Sequence, residues 1–162
     1  GSGGAIFSQC PNKSCIFNIS ESNFMGNFGK FAGGALRWKD VEPLLDIDSI
    51  LFQENLATYG VDIAGIPQKI LALKQDQTHT NNELTGSTYP IISGIQSGGT
   101  IEEDLLFALV DTYGQVVKVD SSSSGSLLPA STSADITVTK AFRVARKGVF
   151  NFTGSQIIAK PE

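Results

Sequence analysis

The sequence predicts an all-β protein in two parts: stacked coils of parallel strand over the first half, then an antiparallel β-sandwich. Three observations carry this reading. Gly-Gly-Ala followed by an apolar residue stands twice, at 3–6 and at 33–36. An alternating apolar pattern that ends in Phe-x-x-Asn also stands twice. Beyond residue 88, short apolar runs are separated by Gly, Ser and Asp turns. The composition agrees with β structure. The chain is 41% hydrophobic and only 17% charged, with 17 glycines, so it is too apolar for a disordered chain and poor in helix-favouring Lys, Glu and Arg.

The first half carries the repeat. Residues 16–27, "IFNISESNFMGN", align with 44–55, "LLDIDSILFQEN", at an offset of 28. That register lays Phe17 on Leu45, Ile19 on Ile47, Phe24 on Phe52 and Asn27 on Asn55. It continues by setting Ala35 on Ile63, with Val61-Asp62-Ile63-Ala64 in place of Gly33-Gly34-Ala35-Leu36. The first Gly-Gly-Ala is 30 residues from the second, so two extra residues are expected between Gly3 and Ile16. Period-2 alternation buries one face of each strand. A unit this small cannot bury its own apolar face, whereas stacking on a copy can. Phe24 over Phe52 and Ile19 over Ile47 then form like-on-like ladders about 4.8 Å apart. An Asn in a turn can bond the matching amide one coil away. The coils are expected over 1–73, a polar linker over 74–88 and the sandwich over 89–162.

The pairing of Gly-Gly-Ala-Ile/Leu with Phe-x-x-Asn over residues 3 to about 73 resembles the repeats of the polymorphic outer membrane protein family, found in bacterial surface proteins and, in similar form, in those of ciliates and other protists. The resemblance implies a short right-handed parallel β-helix of two to three coils, pectin-lyase-like in fold, serving as a rigid adhesin-like stalk. In the second half, the patterns around Asp111 ("LVDTYGQV") and from Gly148 to Phe152 resemble bacterial-Ig-like and filamin-like modules, which implies an Ig-like sandwich. No Cys…Trp…Cys framework supports a true immunoglobulin domain. Asp111-Thr-Tyr-Gly114 reads as a turn between apolar strands, and the serines at 121–124 as a loop.

Chemistry-bearing residues are few. Cys10 and Cys15 lie close together with no nearby His or second Cys pair, so a zinc site is not expected, and of a local disulfide or two free thiols the disulfide, closed across the inserted loop, is the expectation. Asn12, Asn18 and Asn151 head Asn-x-Ser/Thr sequons and are candidate glycosylation sites. With the paired cysteines they point to a secreted or cell-surface protein. A net charge of −4 without a basic run argues against nucleic acid as a partner. No apolar run approaches the roughly 18 residues that span a bilayer.

No enzyme activity and no cofactor or metal are expected. Asp46 and Asp48, alternating with inward Leu45 and Ile47, form a solvated strand face. The alternative makes them, or Trp38 stacked on a sugar, the working part of a carbohydrate-binding or pectin-lyase-like module. His79, the only histidine, falls in the polar linker. The expected function is architectural: surface coat, stalk or filament subunit. Apolar Ala5, Ile6 and Phe7 at an uncovered first coil, and a last strand run at "QIIAKPE", predict unpaired edges. These edges would be covered by head-to-tail copies of the chain or by flanking domains of a longer one. An inert fragment of a giant surface protein is the remaining reading.

Overall fold

The computed structural model describes residues 3–11, 15–73, 92–129 and 135–160. The chain is all-β; among the described residues the one helical piece is a 3₁₀ turn at Ile47–Ser49. Nine short strands build the first half: β1 Ile6–Gln9, β2 Asn18–Ile19, β3 Asn23–Met25, β4 Phe28–Ala32, β5 Leu36–Lys39, β6 Leu44–Leu45, β7 Leu51–Gln53, β8 Leu56–Tyr59 and β9 Ile63–Ala64. All their pairings are parallel: β1 on β5 on β9, β2 on β6, β3 on β7 and β4 on β8. Successive rungs therefore stack. Their inward side chains make one cluster, with Ile19, Phe24, Ala35, Leu36 and Ile50 buried and Ile6, Phe17, Leu45, Phe52 and Ile63 packed against them.

The repeated glycine motif explains how the rungs approach. Gly3, Gly33 and Gly60 all have positive φ (84°, 63° and 60°), a turn that glycine enters without steric cost. The following amides then donate to the next rung in one pattern. Gly4 N–H donates to Gly33 O, and Ala5 and Ile6 N–H both donate to Ala35 O. One rung later Gly34 N–H donates to Gly60 O, and Ala35 and Leu36 N–H both donate to Asp62 O. The second glycine serves close approach. A Cβ on Gly4 would stand 1.7 Å from Gly34 O, and one on Gly34 would stand 1.9 Å from Val61 O.

The aromatic and amide ladders lie in the 28-residue register. Phe24 pairs with Phe52, their rings 5.6 Å apart and 15° from parallel. Asn55 Oδ1 accepts from both the backbone N–H and Nδ2 of Asn27 at 3.0 Å. Asn55 Nδ2 donates to Phe24 O and to the Asp62 carboxylate, so this buried amide ties three rungs.

Elsewhere the register departs from a uniform 28. Ile19 pairs with Leu45, so neither Phe17 on Leu45 nor Ile19 on Ile47 forms. The cause is the Ile47–Ser49 turn, in which Ser49 N–H donates to Asp46 O and Ile50 N–H to Ile47 O. It lifts Ile47 out to 48% exposure, and Ile50 takes the inward place. Asp46 and Asp48 accordingly flank and join a turn rather than alternate along a strand. A register shift between Gly29 and Ala32 then moves Leu36, not Ala35, onto Ile63. The third rung thus reads Gly60-Val61-Asp62-Ile63 against Gly33-Gly34-Ala35-Leu36.

The second half is antiparallel. It comprises β10 Pro67–Leu73, β11 Leu106–Asp111, β12 Ser124–Ser126, β13 Ile136–Thr139, β14 Phe142–Val144, β15 Val149–Asn151 and β16 Gln156–Ala159. β10, β11 and β15 form one sheet; β12 pairs with β14 and β13 with β16. The parallel stack was expected to run to residue 73, but it stops at Ala64, and β10 pairs with β11 across the first sheet instead. Pro67 has no N–H to give a next rung, and Gly65 N–H is already committed to Asp111. The linker expected at 74–88, with His79, lies outside the described residues, as do residues 89–91 of the expected sandwich. Beyond the turn at Asp111–Gly114, Val116 bridges to Val110, and the expected serine loop contributes β12. Phe150 and Phe152 anchor the core here, joined by Ile101, Leu105 and Ala145.

Two substitutions test the stack. Gly34→Ala puts a methyl group into the Val61 carbonyl and is expected to cost about 3 kcal/mol, the upper end of overpacking penalties, measured by urea unfolding. Asn55→Ala strands the Asn27 and Phe24 groups and is expected to cost about 2 kcal/mol by the same measurement.

Candidate functional site

The densest polar arrangement lies where the last rung meets the second half. β11 ends at Asp111, and the next residues turn sharply: Gly114 N–H donates to Asp111 O and Asp111 N–H to Gln115 O. Gly114 takes positive φ (74°) to close this turn. Asp111 is fully buried, and its carboxylate is saturated. Oδ1 accepts from the N–H groups of Tyr113 and Gln115, each at 3.0 Å. Oδ2 accepts from Gly65 N–H at 3.0 Å and from Gln115 Nε2 at 3.4 Å. Gln115 Nε2 also donates to Ile63 O at 2.9 Å, and Tyr59 OH to Gly65 O at 3.0 Å. One turn of the second half therefore ties both residues that follow and close the third rung.

Apolar contacts reinforce the tie. Ala32, Tyr59 and Ala64 of the rungs form a single buried cluster with Val117. Trp38 is only 2% exposed and meets the Tyr113 ring edge-on at 5.4 Å. The indole expected as a candidate sugar platform is thus covered by the cap. Tyr113 OH donates to Glu42 Oε1 at 2.7 Å across the same seam.

Burial sets the ionisation of these groups. Desolvation pushes the Tyr59 hydroxyl up to about 12, Arg37 pulls it down and Asp111 pushes it up, so it stays a donor at any physiological pH. Tyr113 is raised by desolvation and then by its bond to Glu42. For Asp111, desolvation raises the pKa and outweighs the lowering by Gly65, Gln115 and Tyr113, with Glu42 adding to the rise.

Beside the cap lies a cleft of about 340 Å³. It is lined by Phe52, Tyr59 and Ile63 of the stack and by Tyr113, Val116 and Lys118 of the second half. Every polar contact of Asp111 is used within the protein, so its chemistry there is that of a tie, not of an acid or base. Among the described residues, no three or more His, Cys, Asp or Glu side chains are grouped to hold a metal ion.

Family models, curated proteins and solved structures give no match to this chain. Its site must be read from its own residues. Cys10 and Cys15 form a disulfide, with Cα atoms 5.8 Å apart. Cys10 is buried, and its N–H donates to Lys39 O of the second rung, so the bond holds Cys15 beside the rungs. Closing a loop this short contributes about 2 kcal/mol in the chain-entropy account. Asn18 and Asn151 are exposed, the latter with Oδ1 accepting from Thr153 N–H, while Asn12 lies outside the described residues. No helix among the described residues is long and apolar enough to cross a membrane.

The turn signal at residues 111–114 was legible in the sequence, but its reach back to Gly65 was not. The local signal, an Asp followed two residues on by its own N–H donor, is that of an Asx turn.

Asp111→Asn replaces one acceptor oxygen by a donor facing donors and is expected to cost about 2 kcal/mol. The pH dependence has a fixed sign. A raised folded pKa means that the folded state holds the proton more tightly, so this contribution is present below the ordinary carboxylate range and is lost as pH rises through the folded value. Urea titrations of both proteins from pH 3 to 7 should show the gap narrowing as pH rises.

Proposed function

We propose that this chain is an extracellular structural element, in which a short right-handed parallel β-helix is joined to an Ig-like β-sandwich as part of a surface coat or adhesin-like stalk. The observation that carries the reading is the stacking of like on like along parallel rungs, Phe24 on Phe52 and Asn55 on Asn27. This arrangement is rigid along the stack, and the resemblance to polymorphic outer membrane protein repeats rests on the same residues. The Cys10–Cys15 disulfide fits an oxidising compartment, secreted or at the cell surface. Exposed apolar side chains fit a contact role. Phe28 (68% exposed) pairs with Leu56 (63%) on the outside of adjacent rungs. Asn18, an exposed sequon residue, is proposed to carry a glycan in a eukaryotic secretory pathway.

The carbohydrate-active reading loses its two named supports. Asp46 and Asp48 do not share a strand face with Ile47 turned inward, and Trp38 is buried. A glycan array, a polysaccharide-degradation assay and a calcium titration of the purified chain are expected to be blank, and Asp46→Ala is expected to change none of them. Saturable glycan binding or cleavage abolished by Asp46→Ala would replace the structural reading.

A further inference from the structure

The two halves of the Cys10–Cys15 disulfide stand in unlike surroundings. Cys10 directly follows β1 and is only 1% exposed, whereas Cys15 is exposed. Cys10 N–H donates to Lys39 O, a backbone tie to the second rung that does not involve its sulfur. Among the described residues, the polar contacts of Cys15 are all with Cys10: the S–S bond itself, and its backbone N–H, which donates to Cys10 Sγ at 2.9 Å. Exchange of a disulfide with an outside thiol proceeds by attack in line with the S–S bond. Its course depends on which sulfur can be reached and on how well the departing sulfur carries charge. Burial closes Cys10 Sγ to attack and leaves Cys15 Sγ. Burial also disfavours charge on Cys10 as it departs, but the Cys15 N–H is already aimed at that sulfur, and a hydrogen bond to the charged form favours it. The two sulfurs are only five residues apart in sequence, so the bond restrains little chain and the stack does not depend on it.

We propose that this disulfide is a site of reversible thiol exchange whose substrate is a low-molecular-weight thiol, with Cys15 the sulfur that takes the adduct and Cys10 the sulfur that closes the bond again. The entering thiol gives its proton to water and attacks Cys15 Sγ as the thiolate. A new S–S bond forms between them, the Cys10–Cys15 bond breaks, and its electron pair leaves with Cys10 Sγ, which then takes a proton from water. No net oxidation or reduction of the protein and thiol together takes place. Cys10 stays on the stack through Lys39 O, so the rung is not disturbed, and it is placed to attack the mixed disulfide and expel the small thiol. A slim thiol suits the site, because the in-line path to Cys15 Sγ runs beside the residues that bury Cys10. This inference is separate from the architectural reading and adds a covalent chemistry to the outside of the first rung.

The test treats the folded full chain with reduced glutathione, stops the reaction at short times with a maleimide, and locates both labels by mass spectrometry. Lys13 lies between the two cysteines, so trypsin separates them after denaturation. The expected first product is a single species with glutathione on Cys15 and maleimide on Cys10, in at least about tenfold excess over the reverse arrangement. In that species the amides of Ile6–Gln9 keep their protection from hydrogen exchange, and dilution out of glutathione restores the original disulfide. The urea-unfolded chain, in which burial no longer distinguishes the sulfurs, is expected to lose the preference. Glutathione on Cys10, an even split in the folded chain, or the same preference after unfolding would overturn the proposal. So would both cysteines becoming free with no Cys15 adduct before them, or no adduct on the folded chain where the unfolded one forms it. Loss of amide protection at Ile6–Gln9 in the adduct would overturn it too, since exchange would then proceed by opening the rung.

Discussion

The first half depends on how near one backbone can come to the next. Gly4 and Gly34 leave room for a carbonyl oxygen where any side chain would put a carbon within 2 Å. That approach lets the amides at Ala5 and Ile6, and again at Ala35 and Leu36, share single carbonyls at 2.9 to 3.0 Å. Once these bonds fix the spacing, the inward side chains have no freedom of partner. Phe24 meets Phe52, and Asn55 reaches Phe24 O, Asn27 and Asp62 together. A buried amide is costly unless all its groups are bonded, so Asn55 also selects the register.

The second constraint is the end of the stack. A rung edge carries unpaired amide and carbonyl groups that invite further pairing. Here the second half supplies the cover. Asp111 holds Gly65, and Gln115 holds Ile63, while Val117 packs on Tyr59 and Ala64. The two halves are thus not beads on a linker. The strand that leaves the stack, β10, is itself the edge of the second half's first sheet. A buried carboxylate is an expensive tie, since desolvation raises its pKa against three backbone hydrogen bonds. It serves because one side chain satisfies backbone donors from both halves at once.

Much of this was legible in the residues, and the misses have physical causes. The two Gly-Gly-Ala motifs and the Phe-x-x-Asn pair are position-specific, since glycine and asparagine do things at those places that no other residue does. Leu45 and Ile47 carry no such mark. Both are simply apolar, and alternation alone assigned Ile47 inward. A 3₁₀ turn, held by Ser49 on Asp46 O and accepting from Glu21 N–H, put Ile50 there instead. In the third rung the counterpart of Gly33 is Gly60, one residue before the place that a uniform offset of 28 assigns. Positive φ at both shows the equivalence that Val61 and Asp62 conceal. The cap was invisible for a different reason: Gly65 and Asp111 are 46 residues apart, and no local pattern reports a contact of that range.

The account stands most directly on the order and direction of the rungs. A nuclear Overhauser map of the labelled chain measures both. The predicted result is cross-rung contacts joining Ile6 to Leu36, Leu36 to Ile63 and Phe24 to Phe52, with the interstrand pattern of parallel pairing throughout and Gly65 N–H shifted by the Asp111 carboxylate. Contacts of Leu36 with Ala64, close interstrand pairs of α-protons as in antiparallel hairpins, or a Gly65 amide indifferent to Asp111→Asn would contradict it.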